Sequence, residues 1–430
     1  MRLLIKNGRV IDPSENRDEI SDILVEDDKI LKVSENIQED SDEVLDAAGC
    51  YVMPGLIDLH VHLRDPGLEY KENLETGSMA AAKGGFTTIV AMANTLPVID
   101  SGDKISSIYE KAARLSPIHV LQAGAVTKGM LGEELADIAS MAACGAAALS
   151  EDGKTVMDAV LYQEGLRTAA KFNLPVLDHC EDAELKGKGV MNECEVSKKY
   201  GLPGILNEVE DRIIERDIQL AGETGAKLHI CHCSTKGSVD LVRRGKELGI
   251  NVTAEVCPHH FTLTSDEIPA DDTNYKMAPP LRSKEDVDAL IKGLADGTID
   301  AISTDHAPHA AHEKDKDWRK AAFGIVGLET AVALTITRLV EPGYLTPMMM
   351  AERMSTSPAQ ILGIDKGSLK EGKTADIVII DPSHSYKIDK NTFISKGRNT
   401  PFHGWDVKGR VKATICDGRI VYSDFQVPLM

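Results

Sequence analysis

The chain is short of positive charge. Its 48 lysines and arginines face 68 aspartates and glutamates, a formal net charge of −20. Nucleic acid and anionic membranes both require a basic footprint, so neither is expected as a partner. No apolar run approaches the roughly 20 residues of a membrane span. Met1–Lys6 is interrupted by Asn7-Gly8 before the apolar core of a signal peptide could form, so no leader is expected. The eight cysteines, among them Cys50, Cys144, Cys257 and Cys416, show no regular spacing. Free thiols in a reducing cytoplasm are therefore expected rather than a disulfide framework. No G-x-G-x-x-G follows an apolar segment, which counts against a dinucleotide fold.

What is present is an ordinary globular composition, 42% hydrophobic and 27% charged, over 430 residues. That length exceeds the usual single core and predicts a large domain with a smaller companion. Near the N-terminus, LLIKNGRVID and DILVEDDKILKV alternate apolar and polar residues as short strands do. Near the C-terminus, ADIVIIDP reads as a strand. VKATICDGRIVYS reads as a hairpin, because Asp417-Gly418 supplies the positive φ angles of a two-residue turn. Two β ends that cannot each bury a face are expected to pair, giving a small β-sandwich domain from residues 1–53 and 366–430. Between them, over residues 54–365, eight short apolar segments alternate with helical stretches such as NLETGSMAAAKG and PAQILG. The eight are GLIDLHV, FTTIVAM, IHVLQAG, GAAALS, LPVLDH, KLHICH, NVTAEV and DAISTD. This rhythm predicts an α/β fold of the (β/α)₈ TIM-barrel type rather than an open doubly wound sheet.

In such a barrel the working residues come from the C-terminal ends of the strands. His60 and His62 close the first strand, Asn94 follows the second, Asp152 the fourth, His179 the fifth, His232 the sixth and Asp305 the eighth. Alternation along a strand aims His60 and His62 one way and Val61 the other. The same rule turns Cys231 and Cys233, with His229, toward the helix layer if His232 faces the axis, which disfavours a thiolate site. Four histidines and two aspartates at one mouth suit a divalent metal such as zinc, and six ligands are enough for two ions sharing a carboxylate. Alternation also turns Glu151 away from Asp152, a structural position. His119, His384 and His403 lie far from the mouth. One of His259 and His260 is expected to support the site, and His306 and His312 read as loop residues.

These motifs carry a resemblance. D-L-H-V-H-L-R-D-P-G (58–67) with E-Y-K-E (69–72), S-T-D-H-A-P-H-A-A-H-E-K (303–314), K-M-A-P-P-L-R (276–282) and S-K-G-R-N-T-P-F (395–402) resemble the signatures of dihydroorotases, members of the amidohydrolase superfamily. The resemblance spans essentially the whole chain. It implies a zinc-dependent enzyme of pyrimidine biosynthesis that interconverts N-carbamoyl-L-aspartate and dihydroorotate. His60, His62 and Asp305 are implied to bind one zinc, and His179 and His232 a second. Asp152 and a hydroxide would bridge the two, as in the bacterial class that uses an aspartate. Arg64, Asn94 and His309 match positions that hold the substrate carboxylate, and His62 also faces the substrate. Phe323 and Gly324 match a segment that contacts the ring through its backbone. Ala278 stands where the family often has asparagine, so a side-chain contact to the ring is lost.

The implied chemistry is attack of a zinc-activated hydroxide on the ring carbonyl, with Asp305 moving the proton to the leaving nitrogen. The charged run Ala310–Lys320 is expected to form a mobile lid. The resemblance implies a homodimer or a complex with aspartate transcarbamoylase. Two rival readings are a hydantoinase- or allantoinase-like cyclic amidase and an inactive scaffold of the transcarbamoylase. Arg64 and the aspartate bridge oppose the first, and six intact ligand positions oppose the second.

Overall fold

In a computed structural model, which describes residues 1–425, the alternating segments from the two ends of the chain meet in one sheet. Strands β1 (Arg2–Asp12), β2 (Arg17–Glu26), β3 (Lys29–Ser34), β4 (Glu43–Asp46) and β5 (Tyr51–Pro54) come first. They lead into β6 (Leu56–Val61), β7 (Phe86–Ala91), β8 (His119–Gly124), β9 (Ala148–Ser150) and β10 (Pro175–Asp178). A small parallel pair, β11 (Met191–Asn192) and β12 (Gly204–Ile205), precedes β13 (Lys227–Ile230), β14 (Val252–Val256) and β15 (Ala301–Ile302). Then come β16 (Ile377–Lys387), β17 (Asp406–Cys416) and β18 (Arg419–Ser423).

The terminal sheet runs β18-β17-β16-β5-β1-β2-β3, with β4 added to β1. Its two halves join where β16 pairs antiparallel with β5. The β17–β18 turn has positive φ at both Asp417 (48°) and Gly418 (71°), as its sequence requires. Alternate residues of I-V-I-I (377–380) serve two cores. Ile377 and Ile379 pack with Leu3, Ile5, Ile23 and Ile415, whereas Val378 and Ile380 join the helix-side core of the barrel. The expected sandwich is thus one continuous hydrogen-bonded sheet around its own core.

Charge also ties the sheet to the barrel. Buried Asp376 lies 2.5 Å from Lys366 Nζ and 3.5 Å from His119 Nε2. Burial alone would raise its carboxyl, but His119 and Lys366 bring it down to about 2. Because the folded-state value is depressed, its stabilising contribution is complete above about pH 4 and is lost as pH falls through about 2. The drop corresponds to roughly 2 kcal/mol. Urea titrations of wild type and Asp376→Asn should therefore converge as pH is lowered from about 5 toward 3. A gap independent of pH would contradict the assignment.

The eight barrel strands are all parallel, in the order β15-β14-β13-β10-β9-β8-β7-β6. They are the eight largely apolar segments of the sequence, apolar on both faces over most of their length because both faces are buried. β15 is only two residues long, so closure onto β6 falls to His306, which bridges Val61 and Ile325 and accepts His62 N–H at its carbonyl (2.9 Å). His306 is therefore no loop residue. It is buried, its Nδ1 faces Gly327 N–H at 3.2 Å, and its Nε2 lies 3.4 Å from Glu72. Glu72 also accepts from Ser395 (2.5 Å), so two of the recognised motifs are joined under the closure. Much of the lower barrel interior is apolar: Ile57, Leu59, Val90, Ala123, Leu177 and Ala301 pack with Ala359 and Leu362 of the helix Ser357–Leu362.

Candidate metal centre

β6 changes character half-way along. Ile57 and Leu59 belong to the apolar plug, yet His60, the next residue, points into the same barrel. Strict alternation forbids this. A β-bulge permits it: between Asp58 and Val61 the strand advances three residues while β7 advances two, from Ile89 to Ala91. Asp58 braces the bulge, accepting from His60 N–H (3.0 Å) and from the Thr304 hydroxyl (2.6 Å) next to Asp305.

Three further site residues are aimed by left-handed backbone rather than by strand period. Arg64 has φ 57°, His232 φ 35° and Asp305 φ 45°. Non-glycine residues rarely adopt such angles, and strain of this kind concentrates at functional sites. The turn at His232 corrects the expectation for its neighbours. Cys231 and His229 face the barrel interior, and His232 joins them there because its φ resets the alternation. Only Cys233 packs toward the helices. Burial pushes the Cys231 thiol well above its usual range, so it stays protonated. Arg64 lies beyond the strand, which ends at Val61, so its direction is set by its own left-handed backbone.

Together these devices bring all six expected ligands to one place. His60 Nε2 is 3.1 Å from Asp152 Oδ1, and His62 Nε2 is 3.3 Å from Asp152 Oδ2 and 3.1 Å from Asp305 Oδ1. His179 Nδ1 lies 3.3 Å from Asp152 Oδ1 and 2.9 Å from His232 Nε2. All six are buried. Donors at about 2.0–2.1 Å from a tetrahedral zinc lie about 3.3 Å from one another, and these separations, 2.9 to 3.3 Å, fall at or just under that value. Among the described residues, His60 Nε2 and Asp152 Oδ1 have no hydrogen-bond partner, an expensive condition unless a cation uses their lone pairs. The donor set therefore fits a divalent metal. Burial opposes charge on Asp152, but His60, His179 and His232 hold its carboxyl well below the usual range.

Above the ligands opens a cleft of about 200 Å³. His62, Arg64, Asn94, Ala278, His309, Phe323 and Gly324, the expected substrate contacts, all line it. Arg64 does not pair with Asp65, which is taken by Lys111 at 2.6 Å. Its guanidinium instead reaches the Pro308 carbonyl (3.3 Å) and His309 Nε2 (3.5 Å), and among the described residues no carboxylate is its ion-pair or hydrogen-bond partner. Asn94 Oδ1 accepts from His62 Nδ1–H (3.0 Å) and its amide N–H₂ donates to the Asp152 carbonyl (3.0 Å), so it orients two of the expected ligands as well as facing the cleft. Burial, reinforced by Arg64, pushes His309 down to about 3, and its neutral ring lies 2.8 Å from the Phe323 carbonyl. Gly324 has φ 124°, and a Cβ there would come within 2.7 Å of Ala307.

Other expectations meet mixed outcomes. The segment Ala310–Lys320 is pinned at its inner side: buried Lys314 donates to the carbonyls of Lys276, Ala322 and Gly324, and Trp318 Nε1 donates to Ala270. Glu151 turns away from Asp152 and accepts from Val126 and Thr127 N–H, both at 3.0 Å. His259 and His260 are buried beside the site but do not line the cleft. His260 Nε2 lies 3.0 Å from the Pro279 carbonyl, supporting the K-M-A-P-P-L-R segment. His119 does lie far from the mouth, at the sheet junction. All eight cysteines are free.

The chain matches the dihydro-orotase-like family model over residues 49–238. It is 50% identical over 425 residues to a dihydroorotase of Pelotomaculum thermopropionicum, covering 99% of both chains. To a dihydroorotase of Bacillus cereus it is 48% identical over 422 residues, 98% of both. The chain belongs to the dihydroorotase family. Among solved structures, this dihydroorotase-family chain is similar to the L-hydantoinase of Arthrobacter aurescens, with a TM-score of 0.87 and 28% identity over 99% of this chain and 97% of that one. It is also similar to the dihydropyrimidinase of Brevibacillus agri, with a TM-score of 0.85 and 26% identity over 100% of this chain and 96% of that one.

Sequence reasoning missed several groups around this dihydroorotase-family site. Glu181 and Lys186 line the cleft, paired at 2.7 Å, with the Lys186 amine 4.6 Å from the Phe323 ring centre. Nothing in E-D-A-E-L-K marked them. Glu255 bonds to His60 from below. Its signal was legible: an acidic residue inside the apolar run NVTAEV of a strand buried on both faces.

Proposed function

We propose that the chain is a zinc-dependent dihydroorotase that interconverts N-carbamoyl-L-aspartate and dihydroorotate in pyrimidine biosynthesis. The observation that carries this is Arg64, a buried guanidinium without a carboxylate partner among the described residues, facing the small cleft that opens above six converging metal donors. Dihydroorotate offers a carboxylate on a cyclic amide, which is the pair of groups such a cleft can hold. Hydantoin and allantoin lack that carboxylate, so the likeness to hydantoinases speaks for the fold rather than the substrate.

His60, His62 and Asp305 would hold one zinc, His179 and His232 a second, and Asp152 would bridge them. Bound there, zinc supplies Lewis acidity for the ring carbonyl and acidifies water near neutral pH. Arg64 fixes the carboxylate with paired N–H donors, aided by Asn94 and His309. The backbone at Phe323 and Gly324 borders the ring, and Ala278 leaves space rather than a contact. Asp305 takes the proton of the attacking water and delivers it to the ring nitrogen, and in the opposite direction returns it. We further take residues 1–53 and 366–430 as one unit and 54–365 as the other, acting in the cytoplasm as a homodimer or with aspartate transcarbamoylase.

The test is to measure bound zinc and then assay ring opening of dihydroorotate beside hydantoin and allantoin. Activity on hydantoin alone would sink the proposal, and a metal-free folded protein would favour a scaffold. Arg64→Ala should lower kcat/KM for dihydroorotate by about 10- to 100-fold, the value of a charged hydrogen bond or two. The loss should lie chiefly in KM, with zinc content unchanged. A fall in kcat at unchanged KM would contradict this role.

A further inference from the structure

The barrel interior beneath the ligands holds a charge that the proposed chemistry does not use. Glu255, next to the C-terminal end of β14, is fully buried. Its Oε1 lies 2.9 Å from His60 Nδ1, and the His232 N–H points at the same oxygen from 3.4 Å. Its Oε2 lies 3.1 Å from Nε2 of His229, whose Nδ1 is 2.8 Å from the Thr253 hydroxyl. The geometry follows from the strands. Thr253 and Glu255 are two apart on β14 and so share a face, and His229 is the direct partner of Thr253 across β13.

A buried carboxylate costs several kcal/mol unless both oxygens find donors. Neutral imidazole carries one N–H. If that proton is on Nδ1 of His60 and donated to Glu255, the lone pair of Nε2 is free, and Nε2 is the atom left without a hydrogen-bond partner.

We infer that Glu255 is a positioning residue for the metal centre: it pins His60 in the Nδ1–H tautomer, and His229, anchored by Thr253, holds Glu255 in register. The inference rests on the zinc-hydrolase reading above. A carboxylate behind a ligating histidine fixes the ring and raises its basicity, and losing such a partner typically costs 10- to 100-fold in metal affinity.

Glu255→Gln keeps the volume and removes the second acceptor. Its amide N–H₂ must face one imidazole. Facing His60, it drives the ring proton onto Nε2; facing His229, it leaves His60 a weaker acceptor. Affinities of the full-length protein for Zn²⁺ and Co²⁺ are measured by chelator competition, with the visible spectrum of bound Co²⁺ as a second readout. The expected result is an affinity lower by about 10- to 100-fold and a changed Co²⁺ spectrum. Unchanged affinity and spectrum, even with a lower melting temperature, would mean a merely structural role and would overturn the inference. Should the variant fail to fold, His229→Gln carries the test: several-fold weaker metal binding supports the inference and wild-type binding overturns it. Wild-type protein that binds no metal would bring down the zinc reading itself, a different outcome from tight wild-type binding that Glu255→Gln leaves intact.

Discussion

Asp305→Asn is expected to cut turnover by about 100- to 10,000-fold, the range for loss of a positioned acid–base group, with the fold retained. Asparagine is the informative replacement. It keeps the volume, and it tolerates the left-handed backbone at φ 45° better than alanine does. Asp305 Oδ1 lies 3.1 Å from His62 Nε2, so the residue could serve both as ligand and as proton carrier. Zinc content measured alongside steady-state turnover separates the two. Lost turnover with zinc retained assigns proton transfer, and loss of both assigns ligation. Near-normal turnover would refute both roles.

The second large effect concerns stability. Arg282, the last residue of K-M-A-P-P-L-R, is buried and donates to Ser234 Oγ (3.1 Å), Asn192 Oδ1 (3.0 Å) and the Ile205 carbonyl (2.9 Å). Its guanidinium lies 3.7 Å from buried Glu210, which itself receives Ser234 N–H at 2.8 Å. Arg282→Met should cost about 3–5 kcal/mol, because it strands the Glu210 charge. Zinc retention should fall as well, since Ser234 is two residues beyond His232 and loses its anchor. Denaturant titrations of Arg282→Met, Glu210→Gln and the double variant would check this. The double variant should lose less than the sum of the singles, as expected for groups that share one network. An Arg282→Met midpoint equal to wild type would rule the anchor out.

These two residues illustrate how much of the site could be read without coordinates. Asp305 was legible because barrels place chemistry at strand ends and the eight strands were countable from their apolar runs. Arg282 was legible only as part of a motif. Its work is structural, and it depends on β11, β12 and the turn after β13 converging, which no local pattern encodes. His306 and His229 were misplaced for a related reason. A two-residue strand cannot close a barrel by itself, so His306 was drawn into the closure. One left-handed residue at His232 reversed the facing assigned to His229 and Cys231.

By itself the sequence determined the fold class, the pairing of the two β ends, and which six candidate ligands and neighbouring arginine to look for. Residue types and strand periods are local properties, and local properties are what a sequence displays. The tertiary structure alone decided the aim of those residues. The β6 bulge brings His60 inward directly after Leu59, and three left-handed turns point Arg64, His232 and Asp305 into the cleft. Beneath them, Glu255 and His229 line up behind His60. Each of these depends on strands far apart in the chain competing for one barrel axis, and the strain they carry persists only because the packing around them is already fixed.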